Sequence, residues 1–383
     1  MRRGNRALLL RTLYFEQESS RQDLSRLTGL SPATVSNVVA DLITDGIVIE
    51  AGAVDSDGGR PRTLLRIRES YGYVVGVDVG ETRVRLELFD LAMAEQAKAE
   101  YALEPGAHEP PAVIEHILAG LGSVLADAGV DESQVLGMGV GAPGIVEQCP
   151  ELLVHGQTFG WDGVPLGDRL RAGTSIPVFA DNGAKTMGQA ELWFGAGQGA
   201  RHVVMTLIGT GVGASVITDG VTYRGASSSA GEWGHTTIAV NGRVCRCGAR
   251  GCLEAYIGAG ALLGRYGGGP AAGDEESALA AMLGDPTARP VLDEAVACLG
   301  AGLGDLVNLF NPERVILGGW AGLLIGRALL PEIRAAAGRN ALTQPMAQVS
   351  IELGRLGPEA VALGAATLVV EDFLLRGDAP HRS

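Results

Sequence analysis

YVVGVDVGETRVRLELFDLA, residues 73–92, reads as a buried strand, a tight turn and a second strand. An apolar run closes on Asp78, a turn carries Gly80, Glu81 and Thr82, and apolar residues then resume. From here strand and helix signals alternate to the end of the chain, which predicts an α/β fold. A second glycine-rich strand and turn, LIGTGVGASVITDG (207–220), lies about 130 residues later, and a third element, NPERVILGGW (311–320), ends a strand at Gly318 and Gly319. Taken singly, each glycine could serve only a tight turn. Together, at these separations, the three predict two duplicated lobes around a cleft.

The composition sets limits on either side of this stretch. A chain of 383 residues has room for two to three domains of about 150 residues. With 46% hydrophobic and 19% charged residues, and 57 glycines against 17 prolines, it is globular and loop-rich. No stretch approaches the ~20 uninterrupted apolar residues of a membrane span, and MRRGNRALLLRTLYFEQESS breaks into charge too early for a secretory leader. A cytoplasmic protein without a membrane partner is expected. The net charge of −14 is unevenly spread: residues 1–70 hold ten arginines and nine acidic residues, so the excess acid lies in residues 71–383. A short, near-neutral, arginine-bearing front on an acidic body is compatible with a DNA-binding head, because local charge is what meets phosphate.

Residues 1–70 carry that head. From Asn5 to about Glu16 apolar residues recur at Leu8, Leu9, Thr12/Leu13 and Phe15, a helical stripe. RQDLSRLTGLSPATVSNVVADL (21–42) has helix-turn-helix spacing, with Leu24, Leu27 and Leu30 facing inward, a small Ser25 where helices cross and Gly29 in the turn. Thr28 is a polar misfit at a usually apolar position. Ser31 and Pro32 read as N-cap and first helical residue. The next helix buries Val35, Val38, Val39, Leu42 and Ile43, leaving Ala33, Thr34, Ser36, Asn37 and Asp41 on its other face. These are small or polar groups able to approach base edges, and Asn37 suits adenine. IVIEAGAVDSDGGRPRTLLRIR (47–68) then reads as a two-stranded wing whose Arg60, Pro61 and Arg62 would enter a minor groove. A helical hairpin used for dimerisation or protein contact is the competing reading.

Three of the five cysteines fall within eight residues, too clustered for a disulfide framework. With His235, the residues Cys245, Cys247 and Cys252 offer one imidazole and three thiolates, a closed tetrahedral set suited to structural zinc. Gly242, Gly248 and Gly251 let the loop fold around an ion. Free cysteines in a reducing compartment are the alternative.

The turn Asp78-Val79-Gly80-Glu81-Thr82 is similar to the one with which actin-like and sugar-kinase-like ATPases bring phosphate to backbone N–H groups. GVGAPGIV (139–146), FGWDGVPL (159–166), PVFADN (177–182), YRGASSSAGEWGHTTI (223–238), CRCGARGCLE (245–254) and NPERVILGGW (311–320) succeed one another as in the ROK family of bacterial repressors and sugar kinases. The resemblance runs from about residue 73 to the end. With the winged head in front, the chain resembles a ROK transcriptional regulator, since the family's kinases lack such a head. The resemblance implies a winged helix-turn-helix domain (1–70) and a two-lobed, actin-like body (71–383), with residues 71–182 plus 357–383 in one lobe and 183–356 in the other. It also implies sugar contacts at Asn182, Glu232, His235 and Glu254, His235 touching sugar with one nitrogen and zinc with the other. Gly141, Pro143, Gly144 and Trp161 fall on loops that wall the pocket in relatives.

Two positions depart from the kinase pattern. Where the kinases have an Asp that takes the proton from the attacking sugar hydroxyl, this chain has Gly183. Asp181, on the other side of Asn182, points away if the strand is extended. The second glycine of the first phosphate turn is Glu81, which would repel phosphate. The expectation is a regulator without enzyme activity: a repressor of carbohydrate genes that binds operator DNA as a homodimer or homotetramer and responds to a sugar or sugar phosphate. A regulator whose input is a partner protein, and an ATP-dependent hexose kinase, are the alternatives.

Overall fold

A computed structural model of the protein describes residues 2–56, 59–104, 106, 108–267 and 275–377, with residues 2, 54–56 and 59–61 described by their backbone alone. The chain begins with α1 (Arg2–Glu16), β1 (Ser19–Ser20), α2 (Arg21–Thr28), α3 (Pro32–Thr44), β2 (Val48–Ser56) and β3 (Gly59–Ile67). The three strands form one small sheet in the order β1-β3-β2. Local chemistry sets each boundary. Ser20 and Asp23 cap α2 reciprocally, Gly29 ends it at φ +71°, and the Ser31 side chain accepts from the Thr34 N–H ahead of Pro32.

The inward faces differ from the periodic reading in three places. Helix α1 buries Leu9, Leu10 and Leu13, while Leu8 and Phe15 are exposed, because the element covering α1 meets it over the 9-10-13 stripe. Leu27 is also exposed, and only Leu24 is fully inward on α2. Ser25 does more than save space, since its hydroxyl donates to the Leu30 carbonyl at 2.6 Å. The Thr28 misfit resolves locally: its hydroxyl donates to the Leu24 carbonyl at 2.6 Å and accepts from the Leu30 N–H at 3.4 Å.

Next come β4 (Tyr73–Val79), β5 (Arg83–Asp90), β6 (Glu95–Ala102), α4 (Pro110–Ala128), β7 (Val135–Ala142), β8 (Ile145–Val146), β9 (Leu153–Gly156), β10 (Trp161–Pro165), α5 (Leu166–Arg171) and β11 (Val178–Asn182). Beyond them lie α6 (Gly183–Phe194), β12 (Val203–Ile208), β13 (Val212–Thr218), β14 (Val221–Thr222), α7 (Glu254–Ile257), α8 (Ala259–Tyr266), α9 (Glu275–Leu283) and α10 (Arg289–Phe310). The last elements are β15 (Arg314–Gly318), α11 (Trp320–Asn340), α12 (Thr343–Gln348), β16 (Ser350–Leu353) and α13 (Ala360–Arg376). The two large sheets have orders β11-β7-β4-β5-β6 and β14-β13-β12-β15-β16. Numbered along the chain, both are the same sheet: the first strand is central, antiparallel to the second and parallel to the fourth. This is the duplication that the repeated glycine turns predict. By length and composition α4 could cross a membrane, but it buries Val113, Ile117 and Val124 in the core it shares with β5 and β6.

Two helices join the halves. Helix α6 leaves β11 of the first sheet and packs on β12 and β13 of the second, whereas α13 comes after β16 of the second sheet and packs on β4 and β7 of the first. They cross closely enough that a Cβ on Gly364 would collide with the Thr186 carbonyl, and α13 sits so near its sheet that a Cβ on Gly139 would strike the Ala365 carbonyl. The far ends of both helices support the N-terminal unit. Leu9, Leu10 and Leu13 of α1 share one core with Val369, Val370, Phe373 and Leu374 of α13. Phe15 meets Trp193 of α6 edge-on at 4.9 Å between centroids, and Arg6 donates to the Gly377 carbonyl.

Candidate functional site

A cavity of about 690 Å³ opens between the two sheets, where the β4–β5 and β12–β13 turns face each other. Its floor is the start of α6. Asn182 caps that helix, its Oδ1 accepting from the Ala184 N–H at 2.9 Å and its Nδ2 donating to the Gly144 carbonyl at 2.6 Å. Gly183 also lines the cavity, and a Cβ there would find Val361 Cγ1 at 3.7 Å and the Ala142 carbonyl at 3.9 Å, ordinary contact distances. The glycine is therefore not enforced by crowding. Asp181 is buried in the opposite direction, its carboxylate accepting from Arg224 Nε at 2.8 Å and from the Asn182 N–H at 2.8 Å.

Of the other residues implied as sugar contacts, Glu232, His235 and Glu254 all line the same cavity. Burial raises the pKa of the Glu232 carboxyl, against the opposing pull of His235 and Lys185. The Lys185 ammonium is buried below the cavity and donates to the Ser228 carbonyl. Glu254 is buried and already engaged, accepting from the Val212 N–H at 3.0 Å and from Arg246 Nε at 3.3 Å. Pro143 and Gly144 form part of the wall. Gly141 and Trp161 do not: a Cβ on Gly141 would press on Val361, and Trp161 is buried in the first-lobe core with its indole N–H donated to the His108 carbonyl at 2.6 Å.

Beside this wall, His235, Cys245, Cys247 and Cys252 bring one ligand atom each to within 4.8 Å of one another. Cys247 Sγ lies 3.7 Å from Cys252 Sγ, and Cys245 Sγ lies 3.7 Å from His235 Nδ1. Tetrahedral zinc with Zn–S near 2.3 Å and Zn–N near 2.0 Å would separate its ligand atoms by about 3.5–3.8 Å. The donor set therefore fits that ion in chemistry, and the Cys247–Cys252 and Cys245–His235 pairs fit it in spacing. The loop is shaped by the Val244–Arg250 and Thr237–Cys252 bridges and by Gly251 at φ +79°, where a Cβ would strike the Ala239 carbonyl. Burial pushes the Cys245 thiol up to about 12, so metal binding must displace protons.

Asp78, the strand-end residue of the first glycine turn, lines the cavity, as do three residues that sequence reasoning missed: Arg246, Glu275 and Trp320. The Asp78 carboxyl is pushed up to about 6 by burial despite the neighbouring Arg85 and Arg83. Arg246 had a signal, since it stands between two metal-site cysteines and must move with their loop. Glu275 and Trp320 belong to elements that only the tertiary fold brings to the cleft.

On the N-terminal unit, Ala33, Ser36 and Asn37 are exposed along α3. Thr34 is half-buried, with its hydroxyl 2.9 Å from that of Ser31. Arg62 is exposed 3.9 Å from the Asp23 carboxylate, and the side chain of Arg60 lies outside the described residues.

The ROK family model matches residues 74–372. A xylose repressor of Caldicellulosiruptor bescii is 31% identical over 385 residues, covering 97% of this chain and 96% of the repressor. The crystal structure of a ROK family transcriptional regulator homologous to the E. coli Mlc protein superposes with TM-score 0.82 at 24% identity, covering 98% of this chain and 97% of that one. A ROK family glucokinase from Streptomyces griseus, in complex with glucose and AMPPNP, gives TM-score 0.67 at 29% identity and covers 78% of this chain but 99% of its own.

Proposed function

We propose, on the premise that this chain belongs to the ROK family, that it is a sugar-responsive, DNA-binding repressor of carbohydrate uptake or metabolism genes. In this reading residues 1–70 are a winged helix-turn-helix head. Residues 71–182 with 357–383, and 183–356, are the lobes of an effector-binding body. The head reads operator DNA through Ala33, Thr34, Ser36 and Asn37 on α3, with Arg60 and Arg62 adding charge from the wing. The effector, a sugar or sugar phosphate, contacts Asn182, Glu232, His235 and Glu254. The protein works in the cytoplasm as a homodimer or homotetramer, so that two heads meet two half-sites.

The observation that carries this reading is the course of α6 and α13. Each starts at the cleft, at Gly183 and Ala360, and each ends under α1. At 1.5 Å per residue these are rods of about 18 and 25 Å. A rotation of about 10° about the Gly364–Thr186 crossing moves the far end of such a rod by a few ångströms, enough to change the spacing of paired heads. Sugar binding that favours one lobe arrangement thereby shifts the population competent for the operator.

A structural zinc on His235, Cys245, Cys247 and Cys252 belongs to the same reading. It would fix the loop that carries one sugar contact, His235, and holds Arg246 against another, Glu254. No phosphoryl transfer is proposed, because Gly183 offers no base and Asp181 is committed to Arg224 on the far side of the strand. The test is operator binding by the full chain with and without a panel of sugars and sugar phosphates, preceded by a thermal-shift screen in which a binder raises Tm. A panel in which no compound changes either Tm or operator affinity would leave a partner protein as the input.

A further inference from the structure

The end of the cleft where the glycine turns converge is filled by the protein's own charges. Glu81 stands on the turn after β4, in the first lobe, and Arg246 on the cysteine loop of the second. Arg246 Nη1 donates to both Glu81 carboxylate oxygens, at 2.8 and 3.1 Å. Its Nη2 donates to the Thr210 carbonyl at 3.2 Å and its Nε to Glu254 at 3.3 Å. A Cβ on Gly211 would have Arg246, Glu254 and Glu81 as its three nearest neighbours, at 3.6–3.7 Å, so the pair lies directly over that turn. The Thr210 hydroxyl is engaged as well, donating to Glu275 at 2.9 Å. Both turns that would cradle a phosphate are thus covered, one bearing a carboxylate and the other lying under the guanidinium that neutralises it.

We infer that the Glu81–Arg246 pair is an interlobe clasp that takes the place of a phosphate and restricts the effector to an uncharged sugar, excluding sugar phosphates and nucleotides. The inference rests on the sugar-responsive reading and narrows it. An incoming phosphate must displace a carboxylate held through both oxygens. It would also place its own charge beside Glu81 in a cleft already lined by the carboxyl groups of Asp78, Glu254 and Glu275, where like charges repel. A neutral polyol meets neither penalty. The pair is itself part-exposed, with side chains 21% and 41% accessible, so its contribution to overall stability is small and its effect is selectivity. Glu81 is therefore not the lone repulsive charge that the sequence implies, because its guanidinium partner comes from the opposite lobe.

Calorimetric titration of the full-length, zinc-loaded protein tests this with glucose, xylose, glucose 6-phosphate, AMPPNP and inorganic pyrophosphate. Wild type is expected to bind a neutral sugar and none of the three phosphate compounds. Glu81→Ala frees Arg246 and should bind pyrophosphate at least tenfold more tightly than wild type, with an affinity that falls as salt rises. Adding Arg246→Gln should remove the gain. Glu81→Gln, which keeps the shape and loses the charge, should move pyrophosphate affinity in the same direction, and its melting temperature guards against misfolding. Glucose 6-phosphate binding wild type as tightly as glucose would overturn the inference, as would unchanged pyrophosphate affinity in both Glu81 variants. If no sugar binds in either form, the effector reading fails, while the pyrophosphate comparison still decides whether the clasp excludes anions.

Discussion

Replacing Trp193 by Ala would cut the aromatic link between α6 and the N-terminal unit while leaving the cleft and the exposed side of α3 untouched. Trp193 meets Phe15 edge-on at 4.9 Å and Tyr14 tilted at 6.0 Å. Aromatic pairs contribute about 0.5–1.5 kcal/mol each beyond burial, so the two contacts together are worth about 1–3 kcal/mol. The functional outcome depends on whether the contacts persist in both lobe arrangements. If they exist only in the arrangement suited to the operator, their loss shifts the equilibrium away from that arrangement by the same amount, about 5- to 150-fold. The expected result of separate operator and sugar titrations, each without the other ligand, is a ratio of sugar affinity to operator affinity at least fivefold higher than in wild type. A lower Tm accompanied by an unchanged ratio would refute the reasoning, since it would make Trp193 a static prop.

Purified protein should carry about one zinc per chain by metal analysis, and Cys247→Ser should lose it and lower Tm; wild type free of zinc before any chelator would end that assignment. Glu87 is buried, one of its carboxylate oxygens has no partner among the described residues, and burial pushes its pKa up to about 7 from 4.5. Its folded form therefore binds more protons than the unfolded chain between those values, and stability falls as pH rises through the window. Glu87→Gln should then stabilise by something on the order of 3 kcal/mol at pH 8 and by little at pH 4.5, read by denaturant titration. Asn37→Ala should cost about 1–3 kcal/mol at the cognate operator and little on random DNA, whereas Arg62→Ala should weaken both and flatten the salt dependence in the same gel-shift series. Gly183→Asp should fold normally, given the space around the Cβ, and still show no ATP turnover with hexoses, because Glu81 and Arg246 continue to cover the phosphate turns.

What the sequence discloses is whatever depends on local chemistry or on strict spacing. The repeated glycine turns announce the duplicated sheets because a tight turn at the end of a buried strand needs the same few residues wherever it occurs. The turn residue Gly29, the cap Ser31 and the His/Cys spacing are legible for the same reason. The faces of α1 and α2 are less so. Leu8 and Phe15 fit a helical period as well as Leu10 does, and only the position of α13 decides which stripe is buried. Trp161 illustrates the same limit, since a tryptophan on a pocket loop reads as a wall until its N–H is found holding His108. The clasp is the least legible feature of all. Glu81 and Arg246 stand 165 residues apart, and each alone reads as an unfavourable or solvated charge.

A catalytic cleft and a sensing cleft make opposite demands on binding energy. A kinase must hold its strongest interactions for the transition state, with a base on the sugar and bare N–H groups on the phosphate. A sensor needs them in the bound ground state, where they can shift a conformational equilibrium. Moving a two-state population from 1:99 to 99:1 takes about 5.5 kcal/mol of differential binding. In the proposed reading, Gly183 and the covered turns leave the first kind of interaction unmade. In the same reading two ion pairs, Asp181–Arg224 at 2.8 Å and Glu81–Arg246 at 2.8 Å, join the two lobes and would supply a bias in the unliganded protein against which the second kind can work. Under this reading the residues that ended phosphoryl transfer and those that set the resting lobe angle overlap at Glu81, so loss of the enzyme and gain of the switch need not have been independent changes.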